Sequence, residues 1–303
     1  MAPAISIVTP TWNRAHTLPR ALDSLLRQTC ADWEAIVVDD GSTDDTRARM
    51  EEYTARDPRI RYVAQATNRG VLAARNTAFD RATGDWITTL DSDDELVPEA
   101  LEVLLAAASR DPSIDSVGAN CVDSVTGALT GQGLDHDRYI TYREILDRSR
   151  GEHWGMFRRA LLGDLRFNER LHGMEGVLWA KLYADARIYY VHRGLRVYHT
   201  EGRDRIGART LPDARRAVRL YESFAALVDD EQEHLERLRT WSPREHRRTL
   251  FNALGQFALH GDRERFAKTY AQLRATGAVA SPMALRAVLA VSPLTRFALR
   301  RGA

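Results

Sequence analysis

The chain has 303 residues, enough for one large or two ordinary domains at roughly 150 residues each, and its 44% hydrophobic and 28% charged content excludes broad disorder. Its 43 basic and 42 acidic residues leave a net charge of +1, which argues against coating nucleic acid by bulk charge, so no nucleic-acid partner is expected. Two cysteines, Cys30 and Cys121, cannot staple a chain this long, and neither a run of ~18 apolar residues nor a secretory leader is evident, so a cytoplasmic setting is expected.

The first part alternates short β-branched runs with helical patterns. Residues 5–9 read as a buried strand, and 18–28 as a helix with Thr17 at its N-cap. Residues 36–38 continue as a strand, 44–56 as a polar helix and 60–63 as a strand. A helix over 71–82 stops at Gly84. Residues 85–90 form the next strand, 98–110 a helix opening on Pro98, and 116–121 a strand. This alternation predicts an α/β fold with right-handed crossovers and a mainly parallel sheet, and it puts functional loops at the carboxyl ends of the strands. Residues 123–207 are irregular and rich in Gly, His, Trp and Tyr. From Leu211 the pattern is helical over 214–228, 230–239, 245–260 and 263–275, then in a last stretch to Ala303.

Three of the early strands run into chemically loaded loops. The first reads TPTWNR (9–14), the second DDGSTDDT (39–46) and the third DSDDE (91–95). Four carboxylates within five residues repel unless compensated, and hard oxygen ligands suit Mg²⁺ or Mn²⁺. The alternative is a solvated acidic turn that caps the helix near Pro98. The glycine-rich turn of a dinucleotide site is missing after the first strand, and no Walker loop, HExxH helix or GxSxG elbow occurs.

Taken in order, these pieces resemble the family 2 glycosyltransferases, inverting enzymes of the GT-A fold. The matching segments are IVTPTWNR (7–14), QTCADWEAIVVDDGST (28–43), NRGVLAARN (68–76), ATGDWI (82–87) and LDSDD (90–94). Weaker matches follow at MFRR (156–159), FNE (167–169) and MEGVLWAKL (174–182). The resemblance spans about the first two hundred residues. It implies a mainly parallel, twisted, Rossmann-like sheet flanked by helices. The catalytic domain would cover residues 1–208, with a nucleotide-sugar half (1–122) and an acceptor half (123–208), followed by a helical region (209–303).

The resemblance also implies roles. Pro10 and Trp12 would wall the nucleobase, and Asp40 would accept the imide N–H of uracil, with Asp39 structural. Asn68 and Arg75 would meet the ribose or diphosphate, or else hold their own loop and helix. Asp91 would contact the ribose or a metal-bound water, and Asp93 would ligate Mn²⁺ or Mg²⁺. Glu175 takes the place of the family's catalytic base, one methylene longer, with Met174 where a second acid usually stands. His199 is either a ligand of the metal or phosphates, or a structural histidine. Arg203 or Arg205 would reach the phosphates, and His153 with Trp154 would line the acceptor site or pack their loop.

The expected reaction is sugar transfer from a nucleotide sugar, a UDP-sugar first, to the hydroxyl of a glycan, a lipid-linked sugar or a small natural product. Two other readings stay open: a sugar-nucleotide nucleotidyltransferase, and a non-catalytic scaffold on a degenerate transferase fold. After Glu264 no acidic residue occurs, and seven basic residues from Arg265 to Arg301 give the last 39 residues a charge of +7. That segment either packs on the catalytic domain, joins a homodimer, or meets the inner face of the membrane.

Overall fold

The structure is a computed structural model and describes residues 3–200 and 214–277. The chain forms two compact units: Met1–Glu169 with Leu178–Arg209, and Arg170–Val177 with Thr210–Ala303.

The first unit opens with β1 (Ile5–Thr11), α1 (Leu18–Leu26), β2 (Trp33–Asp39), α2 (Thr46–Arg56), β3 (Ile60–Ala64), α3 (Val71–Phe79) and β4 (Trp86–Thr89). It continues with β5 (Glu95–Leu96), α4 (Ala100–Ala108), β6 (Ser116–Asp123), β7 (Arg138–Ile140), α5 (Tyr142–Arg148), β8 (His153–Arg158), α6 (Arg159–Leu162), α7 (Gly176–Leu182) and β9 (Ile188–Tyr198). Every residue of β1 and β2 is buried, as expected of central parallel strands covered on both faces. Helix α1 sets Leu18, Ala21, Leu22 and Leu25 against this sheet at helical spacing. Each such fully buried leucine is worth ~1.5–3 kcal/mol.

The strand order is β3-β2-β1-β4-β8-β6-β9-β5, with β7 also pairing β9. Strands β3, β2, β1 and β4 are parallel, and so are β6 and β9. The pairs β4–β8, β6–β8, β5–β9 and β7–β9 are antiparallel. The sheet is therefore parallel through its first four strands and mixed beyond them. The irregular middle of the sequence supplies β7, β8 and β9.

From β1 the chain moves to β2 and β3 on one side, then returns to β4 on the other. A reversal of this kind opens a crevice outside the carboxyl ends of the strands. The opposite, amino ends are closed. There the buried Glu34 accepts from Ser6 Oγ at 2.7 Å, Thr83 Oγ1 at 2.7 Å, Thr83 N at 2.8 Å and Arg61 Nη1 at 2.6 Å. Burial alone would raise the Glu34 carboxyl, but these donors hold it below the usual carboxylate value.

Three local expectations need correction. Thr17 occupies the N-cap of α1, but its hydroxyl makes no capping bond. Pro98 precedes the helix instead of opening it, because Glu99 is the N-cap of α4. Gly84 lies five residues past the end of α3 and does not stop it. Its role is close approach: an added Cβ would stand 2.7 Å from Ser6 N and 2.9 Å from Ile5 C.

The second unit contains α8 (Ala214–Asp230), α9 (Gln232–Trp241), α10 (Pro243–Leu259) and α11 (Arg263–Ala275). Phe224, Leu227, Leu250, Leu254 and Phe257 are buried in it. The segment Arg170–Val177 belongs here: Ser223 Oγ donates to the Arg170 carbonyl at 3.0 Å, and Arg170 Nη1 to Asp230 at 2.8 Å. Among the described residues, no helix is long and apolar enough to cross a membrane. The basic stretch beyond residue 277 lies outside them.

Candidate active site

Three chain segments meet at the carboxyl ends of β1 and β2. Trp12, just past β1, is 50% exposed, whereas Pro10 is buried inside the strand. A wall for a planar base would therefore be the indole of Trp12, with Pro10 set behind the surface. The turn after Trp12 is held by Asn13, whose φ of 52° is left-handed, a conformation Asn tolerates better than most residues. Its side-chain oxygen accepts from Thr43 N at 2.8 Å, and its own N–H donates to Ser42 Oγ at 2.8 Å. Asp44 adds a bond from Ala15 N at 3.0 Å, and Thr46 Oγ1 accepts from Arg14 N at 3.1 Å. The loops after β1 and β2 are thus stitched into one surface.

Asp39 and Asp40 have different partners. Asp39 takes Ser42 N at 2.9 Å and the Tyr62 hydroxyl at 2.7 Å, a structural assignment. Asp40 is buried and accepts from Arg69 N at 2.8 Å and Gly70 N at 2.7 Å. Burial raises its carboxyl above the usual value despite those two donors, and the neighbouring Asp39 charge adds to the rise. Gly41 completes the clamp. With φ at 74°, it lets Thr67 and Asn68 approach so closely that a Cβ would meet their backbone at 2.9–3.0 Å. Asn68 itself is exposed on this loop.

The acidic loop follows β4 and is enclosed by arginines. Asp91 Oδ1 receives Arg75 Nη2 at 2.9 Å, and Asp91 Oδ2 receives Arg196 Nη2 at 3.2 Å. Burial would push the Asp91 carboxyl up, but the two guanidiniums outweigh it and hold it below its ordinary value. Asp94 is buried against Arg196 Nε at 2.8 Å and His199 N at 2.9 Å; here burial prevails and the carboxyl is raised. Asp93 differs from both. Its side chain is 33% exposed and its carboxylate stands 3.7 Å from Arg14, a looser pairing than a charge-assisted hydrogen bond.

His199 lies beside this loop with both ring nitrogens engaged. Arg20 Nη1 is 2.9 Å from Nδ1, and Glu95 Oε1 is 3.0 Å from Nε2. A guanidinium can only donate, so Nδ1 accepts and Nε2 carries the proton.

Among the described residues, no three His, Cys, Asp or Glu side chains assemble around a common point to hold a cation. A divalent ion here would take one hard oxygen ligand from Asp93 and the others from a diphosphate and water. Mg²⁺ is commonly held in that way, by one or two carboxylates plus substrate phosphates. The residues present fit such an ion.

The acceptor-half residues fall in several places. Asn76 pins Phe167 through both backbone groups, at 2.9 Å and 2.8 Å, and Arg69 pairs with Glu169 at 2.7 Å. Trp154 Nε1 donates to the Thr89 carbonyl at 2.7 Å beside the acidic loop. His153 contacts Ser149 Oγ at 3.1 Å, and burial lowers its imidazolium pKa. Glu175 immediately precedes α7, in the segment that groups with the second unit. Arg203 and Arg205 lie outside the described residues. Sequence reasoning missed Arg20 and Arg196 beside the acidic loop, and it placed Asn13, Asp44 and Thr46 in their loops without seeing the bonds that join those loops. The second unit also holds a cleft of about 460 Å³ lined by Glu236, Arg239, His246, Arg247 and Gln272, and none of the site residues named from sequence lies in it.

Residues 6–165 match the family model described as glycosyl transferase family 2. The GalNAc(5)-diNAcBac-PP-undecaprenol beta-1,3-glucosyltransferase of Campylobacter jejuni is 34% identical over 232 residues, covering 75% of this chain and 73% of that protein. The UDP-Glc:alpha-D-GlcNAc-diphosphoundecaprenol beta-1,3-glucosyltransferase WfgD of Escherichia coli is 30% identical over 191 residues, covering 63% of this chain and 74% of that one. Among solved structures, S. aureus TarS 1-349 in complex with UDP-GlcNAc is similar in fold, with a TM-score of 0.62 and 21% identity over 85% of this chain and 80% of that chain.

Proposed function

The chain belongs to glycosyl transferase family 2, and we propose that it moves a sugar, with inversion, from a UDP-sugar to a hydroxyl of a saccharide carried on a polyprenyl diphosphate. One observation carries the donor side. The loops after β1, β2 and β4 bring Trp12, Asp40, Asp91 and Asp93 to the carboxyl end of the parallel part of the sheet. The lipid-linked acceptor rests on the two relatives whose names specify undecaprenyl-diphosphate-linked substrates.

The indole of Trp12 stacks on the uracil, a contact worth ~1–3 kcal/mol per base. Asp40 has lone pairs left after accepting from Arg69 and Gly70, and one of them takes the imide N–H. Asn68 and Arg75 lie along the ribose and diphosphate. Asp93 would hold Mn²⁺ or Mg²⁺, while Asp91, tied to Arg75 and Arg196, and His199, tied to Arg20 and Glu95, would support the loop around it. That ion supplies Lewis-acid neutralisation of the departing diphosphate. On the acceptor side, Glu175 takes the hydroxyl proton as that oxygen attacks the anomeric carbon, while the bond from that carbon to the diphosphate oxygen breaks and UDP leaves.

Assaying products from UDP-sugars with Mn²⁺ tests the reading: UDP release is expected, whereas formation of UTP and a sugar 1-phosphate when pyrophosphate is added would indicate a nucleotidyltransferase instead. The basic segment after Glu264 fits an acceptor embedded in an anionic membrane, with the enzyme docked on its inner face.

A further inference from the structure

We infer that Arg196 is a positioning residue of the donor site: it fixes the acidic loop so that Asp93 presents its carboxylate with, among the described residues, only a loose 3.7 Å pairing to Arg14. This rests on reading that loop as the donor-side metal loop. Arg196 is 6% exposed on β9, in register with Leu96 on β5 and Cys121 on β6. Its Nε donates to Asp94 Oδ2 at 2.8 Å, and its Nη2 reaches both that same oxygen and Asp91 Oδ2, the latter at 3.2 Å. Three residues on, His199 N donates to the other Asp94 oxygen at 2.9 Å. The end of β9 therefore holds both oxygens of Asp94 and one of Asp91.

Asp93 lies between the two clamped aspartates. Its carbonyl receives Arg20 Nη2 at 2.5 Å, and Asp94 N closes a turn onto Asp91 O at 3.2 Å. With the backbone on both sides fixed, the direction of the Asp93 side chain is set by its neighbours. A lysine at 196 would keep the charge, but as a single point donor it lacks the planar fork that reaches two carboxylates.

The test compares the full chain with Arg196→Lys and with the neutral pair Arg196→Met/Asp94→Asn, which leaves no unpaired buried charge if the single variant folds poorly. UDP is titrated calorimetrically with and without Mn²⁺, and the electron paramagnetic resonance spectrum of Mn²⁺ is recorded in parallel. The expected result is a rise of roughly 10- to 100-fold in the dissociation constant of UDP with Mn²⁺, an altered Mn²⁺ spectrum, and unchanged metal-free UDP binding. Unchanged metal-dependent binding in a folded variant, or equal losses with and without metal, would overturn the inference. If the unsubstituted chain shows no metal-dependent UDP binding, the donor-site reading itself falls, and this inference with it.

Discussion

The Asp40 carboxylate receives the Gly70 backbone N–H at 2.7 Å, so the residue proposed to read the base also ties down the loop that carries Asn68. The adjacent Arg69 N–H meets the other oxygen at 2.8 Å. Asp40→Ala strands two donors, at a cost of about 1–3 kcal/mol for each that stays buried. Chemical denaturation should show a loss of that order together with weakened UDP binding. Retention of both wild-type stability and wild-type affinity would remove Asp40 from either role.

Gly84→Ala should destabilise the first unit by about 1–3 kcal/mol, because the added methyl meets Ser6 and Ile5 backbone, which cannot swing away. A denaturant midpoint unchanged from wild type would show that the contact relaxes.

The pH dependence of stability has a defined sign at His153. Burial lowers its pKa from the ordinary value of 6.5, so the fold prefers the neutral ring. As pH falls below 6.5, the unfolded chain takes up a proton before the folded one does, and the stabilisation present above that pH is lost. Thermal melts from pH 7.5 to 5.5 should show this loss, and His153→Gln should make the slope shallower. An identical slope in the variant would assign the acid sensitivity elsewhere.

Much of this was legible in sequence, for physical reasons. Buried parallel strands are continuous apolar runs, so β1 and β2 announce themselves, and β4 runs into a loop with four carboxylates in five residues, which from the residues alone fits a cation site or an acidic helix cap equally. Strand β8, HWGMFR, alternates too weakly to show a period. Its identity depends on pairing with β4 and β6. Arg196 was hidden for another reason. Nearly all of the 43 basic residues are arginine, and its partners Asp91 and Asp94 lie more than a hundred residues away, so only the folded chain distinguishes it. Gly84 looked like a helix stop because glycine suits a C-terminal cap; its tight approach to Ser6 is visible only once β1 and β4 are side by side.

Removal of divalent metal with a chelator should abolish transfer, and Mn²⁺ or Mg²⁺ should restore it. Asp93→Ala should fold normally, since among the described residues its carboxylate makes only the 3.7 Å contact with Arg14, yet lose roughly 10²-fold or more in kcat. Full activity in that variant would remove Asp93 from the metal site.

The full chain should float with anionic liposomes in low salt and release as salt rises, because the +7 carried by its last 39 residues is screened. A version ending at Ala280 should float less. Equal flotation of the two would place membrane contact elsewhere.

The most direct test supplies the full chain with UDP-sugars, Mn²⁺ and polyprenyl-diphosphate-linked saccharides, and reads the anomeric configuration of the product by NMR. The expected product of an α-linked UDP-sugar is a β-linked saccharide formed with one UDP released, and Glu175→Gln should bind UDP normally while transfer falls by roughly 10²- to 10⁴-fold. A product of retained configuration, or near-wild-type transfer by Glu175→Gln, would contradict the account.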